Sequence, residues 1–113
     1  MPSYLYIFRG GDREGQSPEA GQKHMQKWFT WIEGLRKSGN FKAGEPLEKG
    51  GKVVRGSKKV VSDGPYAEAK DLVGGFSLIE ASDLAHAVEI SKGCPVLEVG
   101  GSVEVRPVMQ LNM

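Results

Sequence analysis

Residues 63–76 of the chain read Asp-Gly-Pro-Tyr-Ala-Glu-Ala-Lys-Asp-Leu-Val-Gly-Gly-Phe. Asp63 stands at the start of a turn that Gly64 and Pro65 make rigid, and the turn leads into a strand that begins with two glycines. An acidic residue fixed in a loop in this way is a candidate catalytic or binding residue, since such residues concentrate on loops held by a rigid scaffold. The competing interpretation is structural, because an Asp before Gly-Pro forms turns through its own side-chain hydrogen bonds.

Outward from this segment, the spacing of apolar residues predicts two helices and a set of strands. We expect strands at 4–8, 42–48, 73–81 and 102–108, short strand pieces at 52–55 and 58–61, and helices at 18–38 and 83–92. The order is β-α-β, a central hairpin, then β-α-β. This order predicts an α+β fold of the ferredoxin-like type, a split βαβ arrangement in which two helices cover one face of an antiparallel sheet. A single domain over residues 1–113 accounts for the whole chain.

The helical periodicity predicts which side of each helix faces the core. On the first helix the apolar stripe contains Met25, Trp28, Phe29, Trp31, Ile32 and Leu35, and His24 lies at its edge. On the second helix, which we expect Ser82 to cap, the inward residues are Leu84, Ala87, Val88 and Ser91. His86 falls on the opposite side of that helix and is predicted to be a surface residue without a role.

The predicted strands carry apolar residues on both faces. Tyr4, Tyr6 and Phe8 point one way along the first strand, and Leu5 and Ile7 point the other way. Two helices cover only one face of such a sheet, so a second layer must cover the other. We therefore expect a homodimer in which the two sheets pack face to face.

Composition excludes several classes of protein. The 15 Lys and Arg residues nearly balance the 14 Asp and Glu residues, giving a net charge of +1, so we expect no direct binding to nucleic acid. The basic cluster Lys49, Lys52, Arg55, Lys58 and Lys59 is interpreted as a solvated hairpin rather than a phosphate-binding patch. One cysteine, Cys94, allows no internal disulfide. The chain has no long apolar run and no basic leader, which predicts a cytoplasmic protein without a membrane span.

The chain resembles the YCII-related family, also called the DGPF-domain family, over nearly its whole length. The resemblance is carried by the Tyr-rich first strand, His24-Met25, the Asp63 turn, Gly74-Gly75-Phe76, Cys94-Pro95 and residues 101–107, with Tyr66 where the signature usually has Phe. It implies a dimeric α+β barrel and an active site formed by a helix histidine and the acid of the signature turn, here His24 and Asp63. It also implies a functional link to a sigma factor, since members of this subgroup often occur beside extracytoplasmic-function sigma factors.

A histidine held by a carboxylate has a fixed tautomer and acts as a better general base, so His24 and Asp63 are the predicted catalytic pair. Tyr6, Tyr66, Phe76 and Arg106 are the predicted substrate-binding residues: three rings for an aromatic or apolar wall, and a guanidinium for an anionic group. Core packing for the rings, and for Arg106 an ion pair with Glu104 of a partner chain or with Glu80, are the competing interpretations. Gly74-Gly75 is interpreted as a close approach of backbone to a neighbour or a ligand. No metal site is expected.

Three functions fit these features. The first is a cofactor-free enzyme in which His24 and Asp63 perform acid/base chemistry on a small organic substrate. The second is a non-catalytic module that binds a small ligand or docks to a transcription factor such as a sigma factor. The third is a purely structural dimer. An enzyme needs both His24 and Asp63, whereas a docking module tolerates their loss and fails when its surface is changed.

Overall fold

The protein is described by a computed structural model over residues 1–11, 17–64 and 71–111. Within these ranges the strands are β1 (Ser3–Arg9), β2 (Phe41–Pro46), β3 (Gly51–Arg55), β4 (Val60–Gly64), β5 (Val73–Glu80) and β6 (Ser102–Pro107). The α-helices are α1 (Pro18–Lys37) and α2 (Leu84–Ser91), and a 3₁₀ helix spans Pro95–Val99. The predicted order of elements is confirmed, with the 3₁₀ helix as an addition.

Four strands form one antiparallel sheet in the order β2-β5-β1-β6, and β3 pairs with β4 in a separate two-stranded sheet. The first and fifth strands are central, and each helix follows one of them. This is the predicted α+β arrangement of the ferredoxin-like type, with the central hairpin inserted between β2 and β5.

The alternation of side chains along β1 gives the sheet one helix-covered face and one outer face. Tyr4, Tyr6 and Phe8 are buried beneath the helices. Leu5 and Ile7 point to the outer face, where they lie opposite Leu78 and Phe76 of β5. All four of these outer side chains are half-buried. The prediction that both faces of the sheet are apolar is confirmed.

Helix α1 begins at a capped turn, where the Ser17 hydroxyl accepts a hydrogen bond from the Ala20 amide at 3.1 Å. Its inward face is narrower than predicted: His24 and Leu35 are buried and the two tryptophans pack on the core, but Met25 and Phe29 are exposed. The four-residue spacing still places His24 on the core side, as expected from its position at the edge of the stripe.

The prediction for α2 is wrong in two respects. Asp83 caps the helix rather than Ser82, and its carboxylate accepts from the His86 amide at 2.8 Å. The inward residues are Ala87 and Ser91, whereas Leu84 and Val88 are exposed. The small side chain of Ala87 lets α2 approach the sheet closely enough for the Tyr6 hydroxyl to donate to the Ala87 carbonyl. That contact sets the rotation of the helix.

Residues 49–64, which contain β3 and β4, form a projecting hairpin that we call the arm. The molecule measures 48 × 45 × 18 Å. The shortest dimension is the thickness of one helix layer on one sheet and leaves no room for a third layer. The arm therefore extends beside the sheet rather than over it. The radius of gyration is 15.8 Å, above the about 13 Å of a compact domain of this size. The arm exposes Val54, Val60 and Val61.

Candidate functional site

His24 is a polar side chain in the buried layer between α1 and the sheet, with only 7% of its surface exposed. One turn further along α1, the indole Nε1 of Trp28 donates a hydrogen bond to His24 Nε2 at 2.9 Å. Residues four apart on a helix share one face, so this contact follows from their spacing in the sequence. The sequence pattern placed His24 at the core boundary but did not identify Trp28 as its partner, although the i, i+4 spacing is the signal that could have done so.

An aromatic cluster surrounds this histidine. The ring of Phe8 meets Trp28 edge-on, with centroids 5.0 Å apart and planes at 85°. Trp31 meets Trp28 edge-on as well, at 5.8 Å, and stacks on Tyr6 at 6.2 Å. Such pairs stabilise beyond the area that they bury. Phe8 and Trp31 therefore hold the Trp28 indole, which is hydrogen-bonded to His24, from two sides.

Asp63 lies in a different environment, at the end of β4 on the arm. Its side chain is 79% exposed and forms an ion pair with Lys52, the residue opposite it in the β3–β4 ladder. The described contacts of a single chain therefore do not bring Asp63 to the buried His24. The pairing of these two residues stays a prediction.

Phe76 and Arg106 lie on the outer face of the sheet, on the side away from His24. Phe76 is opposite Ile7 and Arg106 is opposite Leu5. The Arg106 guanidinium donates to Glu104 of its own chain at 3.2 Å, so Arg106 does form an ion pair, but with neither of the two partners that the sequence suggested. Arg9 binds the other oxygen of Glu104 at 3.3 Å. Hydrogen bonds from Arg106 and Arg9 lower the pKa of the Glu104 carboxyl.

The two predicted tyrosines differ in what the structure shows of them. Tyr6 is fully buried, with its hydroxyl bound to Ala87 and its ring packed between Trp31 and Phe8, so its observed role is in the core. We leave Tyr6 out of the proposed site for this reason. Tyr66 lies outside the described residues.

Cys94 packs in the same buried core as Tyr6 and Phe8, whereas His86 lies on α2. Cys94 is buried, and burial raises the pKa of its thiol to about 12, which keeps it in the unreactive protonated form. His86 is partly exposed on α2, where its Nδ1 accepts a hydrogen bond from the Ser82 amide at 3.1 Å. Within the described residues, no group of three or more His, Cys, Asp or Glu side chains is arranged to hold a metal ion.

An open groove of about 580 Å³ runs between α1 and the segment that leads into the 3₁₀ helix. Lys27, Trp31, Gly93 and Glu98 are among its lining residues, and Lys27 and Glu98 form an ion pair at 3.1 Å across it. Of the predicted site residues that the structure describes, none is among those that line this groove. No helix in the described ranges is long and apolar enough to cross a membrane.

The chain combines a split βαβ sheet with a hairpin before β5 and a buried histidine, His24, on α1. Together these features involve nearly the whole chain. The model of the YCII-related domain matches residues 4–112. The chain belongs to the YCII-related domain family. A search of curated proteins found no match for this YCII-related domain.

One solved structure with a similar chain is 5-chloro-2-hydroxyhydroquinone dehydrochlorinase from Burkholderia phenoliruptrix, in complex with 2,5-dihydroxybenzoquinone. The two chains are 18% identical, each is covered over 90% of its length, and the TM-score is 0.48.

Proposed function

We propose that this YCII-related domain is a cofactor-free enzyme in which His24, together with Asp63, performs acid/base chemistry on a small organic substrate. The observation that carries the proposal is the burial of His24 in a rigid aromatic cluster, with its ring oriented by a hydrogen bond from Trp28. Histidine serves as a general acid or base near neutral pH, and active sites hold titratable groups that are buried beside specific partners, as His24 is.

A homodimer is part of the proposal. Leu5, Ile7, Phe76 and Leu78 form an apolar patch on the outer face, and charged side chains of Arg9, Glu80, Glu104 and Arg106 surround it. An apolar centre with a polar rim is the anatomy of a protein interface. The proposed dimer places Phe76 and Arg106 between two chains, where they would be able to line a shared substrate pocket.

Sedimentation of matched variants tests the dimer. Ile7→Lys puts a charge at the centre of the patch and should convert the dimer to a monomer, because an unpaired buried charge is costly. Val54→Lys, an equivalent change on the arm, is the control and should leave the mass unchanged. A wild-type protein that sediments as a monomer at high micromolar concentration would exclude this part of the proposal.

Turnover by site variants tests the catalytic role. The wild type is incubated with a panel of small carbonyl and phenolic compounds in D₂O, and NMR follows product formation and solvent exchange at carbon. We expect His24→Gln and Asp63→Asn each to lower the rate of any turnover by about 10²-fold or more, as the loss of an acid/base group does. His86→Gln is the control for the loss of a histidine and should retain full activity. Unchanged turnover in His24→Gln would refute the proposal.

A second candidate function is favoured by the arm. Residues 49–64 carry five cationic side chains and one carboxylate, together with three exposed valines. This composition suits docking to an acidic protein surface, as a regulatory module associated with a sigma factor would need. Lys58→Glu/Lys59→Glu should abolish the function of a docking module while leaving catalysis intact, and His24→Gln should have the reverse effect.

A further inference from the structure

The groove between α1 and the segment that leads into the 3₁₀ helix is lined mainly by hydrogen-bond donors. On its α1 side lie Lys23, Lys27 and Thr30, whose spacing places them on one face of the helix. On its other side lie Pro95 and Glu98. Among the described lining residues, two ammonium groups therefore stand against one carboxylate. The volume of about 580 Å³ is within the range of sites that bind small organic molecules.

The indole of Trp31 forms the inner wall of this groove. Its ring stacks on Tyr6, with centroids 6.2 Å apart, and meets Trp28 edge-on at 5.8 Å, so the core holds it in place. The ring edge that carries Nε1 lies beside Gly93, where a Cβ atom would be only 3.0 Å from that nitrogen. Glycine at this position therefore leaves the N–H of Trp31 uncovered.

The two indole N–H groups of the aromatic cluster differ in their partners. The N–H of Trp28 donates to His24, whereas that of Trp31 has no acceptor among the residues that the structure describes. In the same part of the chain, every fully buried polar side-chain atom has a hydrogen-bond partner. Nε1 of Trp31 is therefore accessible to solvent, and the groove is the surface that Trp31 lines. Because an indole N–H can only donate, a ligand bound here must supply an acceptor.

The charges of the groove favour an anion as that acceptor. Lys27, one turn before Trp31 on α1, forms an ion pair with Glu98 at 3.1 Å. Lys23, one turn further back, has no carboxylate partner within the described ranges. An anionic acceptor forms stronger hydrogen bonds than a neutral one and is attracted by the net positive charge of the lining. Trp31 and Pro95 add apolar surface against which a flat ring can pack.

We propose that this groove binds a small aromatic carboxylate. The carboxylate accepts the hydrogen bond of Trp31 Nε1–H in the positive field of the two lysines, and the ring of the ligand packs against Pro95. Neither His24 nor Asp63 is among the lining residues, so the inference goes beyond the proposed function and does not depend on it. The groove is open to solvent, and a ligand of about ten non-hydrogen atoms should bind it weakly, with a dissociation constant of about 1 mM.

Proton–nitrogen NMR spectra of the full-length protein test the inference, because two tryptophans give only two indole N–H signals. The signal that is lost in Trp31→Phe assigns both. Benzoate is the probe, and benzamide, which has nearly the same shape but no charge, is the control at equal ionic strength. We expect benzoate to shift the Trp31 signal with saturation and to leave the Trp28 signal, whose N–H is bound to His24, nearly constant. A Trp31 signal that benzoate does not move, or that benzamide moves equally, would overturn the inference.

A matched pair of glutamate variants tests the role of charge. Glu98→Gln removes the carboxylate of the groove and frees Lys27, so benzoate should bind about threefold more tightly. Glu89→Gln breaks a comparable exposed ion pair, with Lys92 at 2.7 Å, and should leave the affinity for benzoate unchanged. Unchanged or weaker binding in Glu98→Gln would refute the assignment of an anionic ligand.

A matched pair of alanine variants tests the indole N–H. Gly93→Ala places a methyl group against Trp31 Nε1 and should weaken benzoate binding by about tenfold. Gly34→Ala, where a Cβ would meet nothing within 4 Å, should bind as the wild type does. Wild-type affinity in Gly93→Ala would exclude Trp31 as the donor, and the glutamate pair decides the question if Gly93→Ala does not fold. Asp63→Asn should also retain the affinity, so loss of turnover and loss of groove binding are separate outcomes.

Discussion

Replacing Gly75 with alanine should destabilise the protein, whereas the same replacement at the adjacent Gly74 should not. Gly75 is buried on β5, and a Cβ atom there would lie 2.9 Å from the Glu45 carbonyl oxygen and 3.3 Å from Pro46 Cα. Both are backbone atoms of β2, which is hydrogen-bonded to β5. Relief of this contact would therefore require β2 to move, since no side chain can rotate away. At Gly74 a Cβ would meet nothing within 4 Å.

The sizes of the two effects follow from these contacts. Overpacking of a buried position costs about 1–3 kcal/mol, and the lower conformational freedom of alanine in the unfolded chain returns about 0.4–1 kcal/mol. Gly75→Ala should thus lower the free energy of unfolding by about 1–2 kcal/mol net. Gly74 does not have a positive φ, so alanine fits its backbone and the variant should gain about 0.5 kcal/mol. The two variants should differ by about 2 kcal/mol, or about 10 °C in Tm.

Urea unfolding followed by the fluorescence of the two tryptophans measures this difference. All proteins are compared at one concentration, because the stability of an oligomer depends on concentration. The slope of the unfolding free energy against urea should be the same for wild type and variants, since the surface exposed on unfolding is unchanged. Equal stability of the two variants would show that β2 and β5 are not as close at Gly75 as the structure has them.

Four further predictions concern the core. Tyr6→Phe removes the buried hydroxyl that donates to Ala87 and should lower the free energy of unfolding, measured in urea, by about 1 kcal/mol. Ile79→Ala empties a fully buried site and should lower it by about 2–5 kcal/mol in the same assay. A loss below about 1 kcal/mol for Ile79→Ala would contradict the place of Ile79 in the core. Cys94 should resist a thiol reagent in the folded protein and react at once in urea, because it is buried and its thiol stays protonated; rapid labelling of the folded protein would contradict this. Burial raises the pKa of Cys94 from 9.0 to about 12 and also raises that of Tyr6, so both groups bind protons more tightly when folded. The free energy of unfolding should therefore be steady below about pH 9 and fall above it, by up to about 1.4 kcal/mol per pH unit for each group, and Cys94→Ala should show a shallower fall than wild type.

The two α-helices show what a sequence pattern can predict and what it cannot. Along α1 the 3.6-residue period correctly placed His24, Trp28 and Leu35 toward the core, because the periodicity is a property of the helix itself. On α2 the same reasoning failed, since Leu84 and Val88 are exposed and Ala87 is buried. The rotation of that short helix depends on a contact with Tyr6, 81 residues away in the chain.

The predicted site shows the same division. His24 was found from its position on α1, and its hydrogen bond to Trp28 is a local contact that the spacing could have revealed. Phe76 and Tyr6 were predicted to act together, but the β1–β5 register puts Phe76 opposite Ile7 on the outer face and Tyr6 opposite Ser77 under the helices. A shift of one residue in that register would exchange the two faces.

The sequence by itself determined the order of strands and helices, the two apolar faces of β1 and the membership of His24 in a buried helix face. Each of these follows from the regular geometry of a single element, which neighbouring residues set. The tertiary structure alone decided the register of β1 against β5, the rotation of α2 and the pairing of the exposed Asp63 with Lys52 at the base of the arm. These depend on contacts between residues far apart in the chain, where the packing of a hydroxyl, a small side chain or a glycine selects one arrangement among several that the local patterns allow.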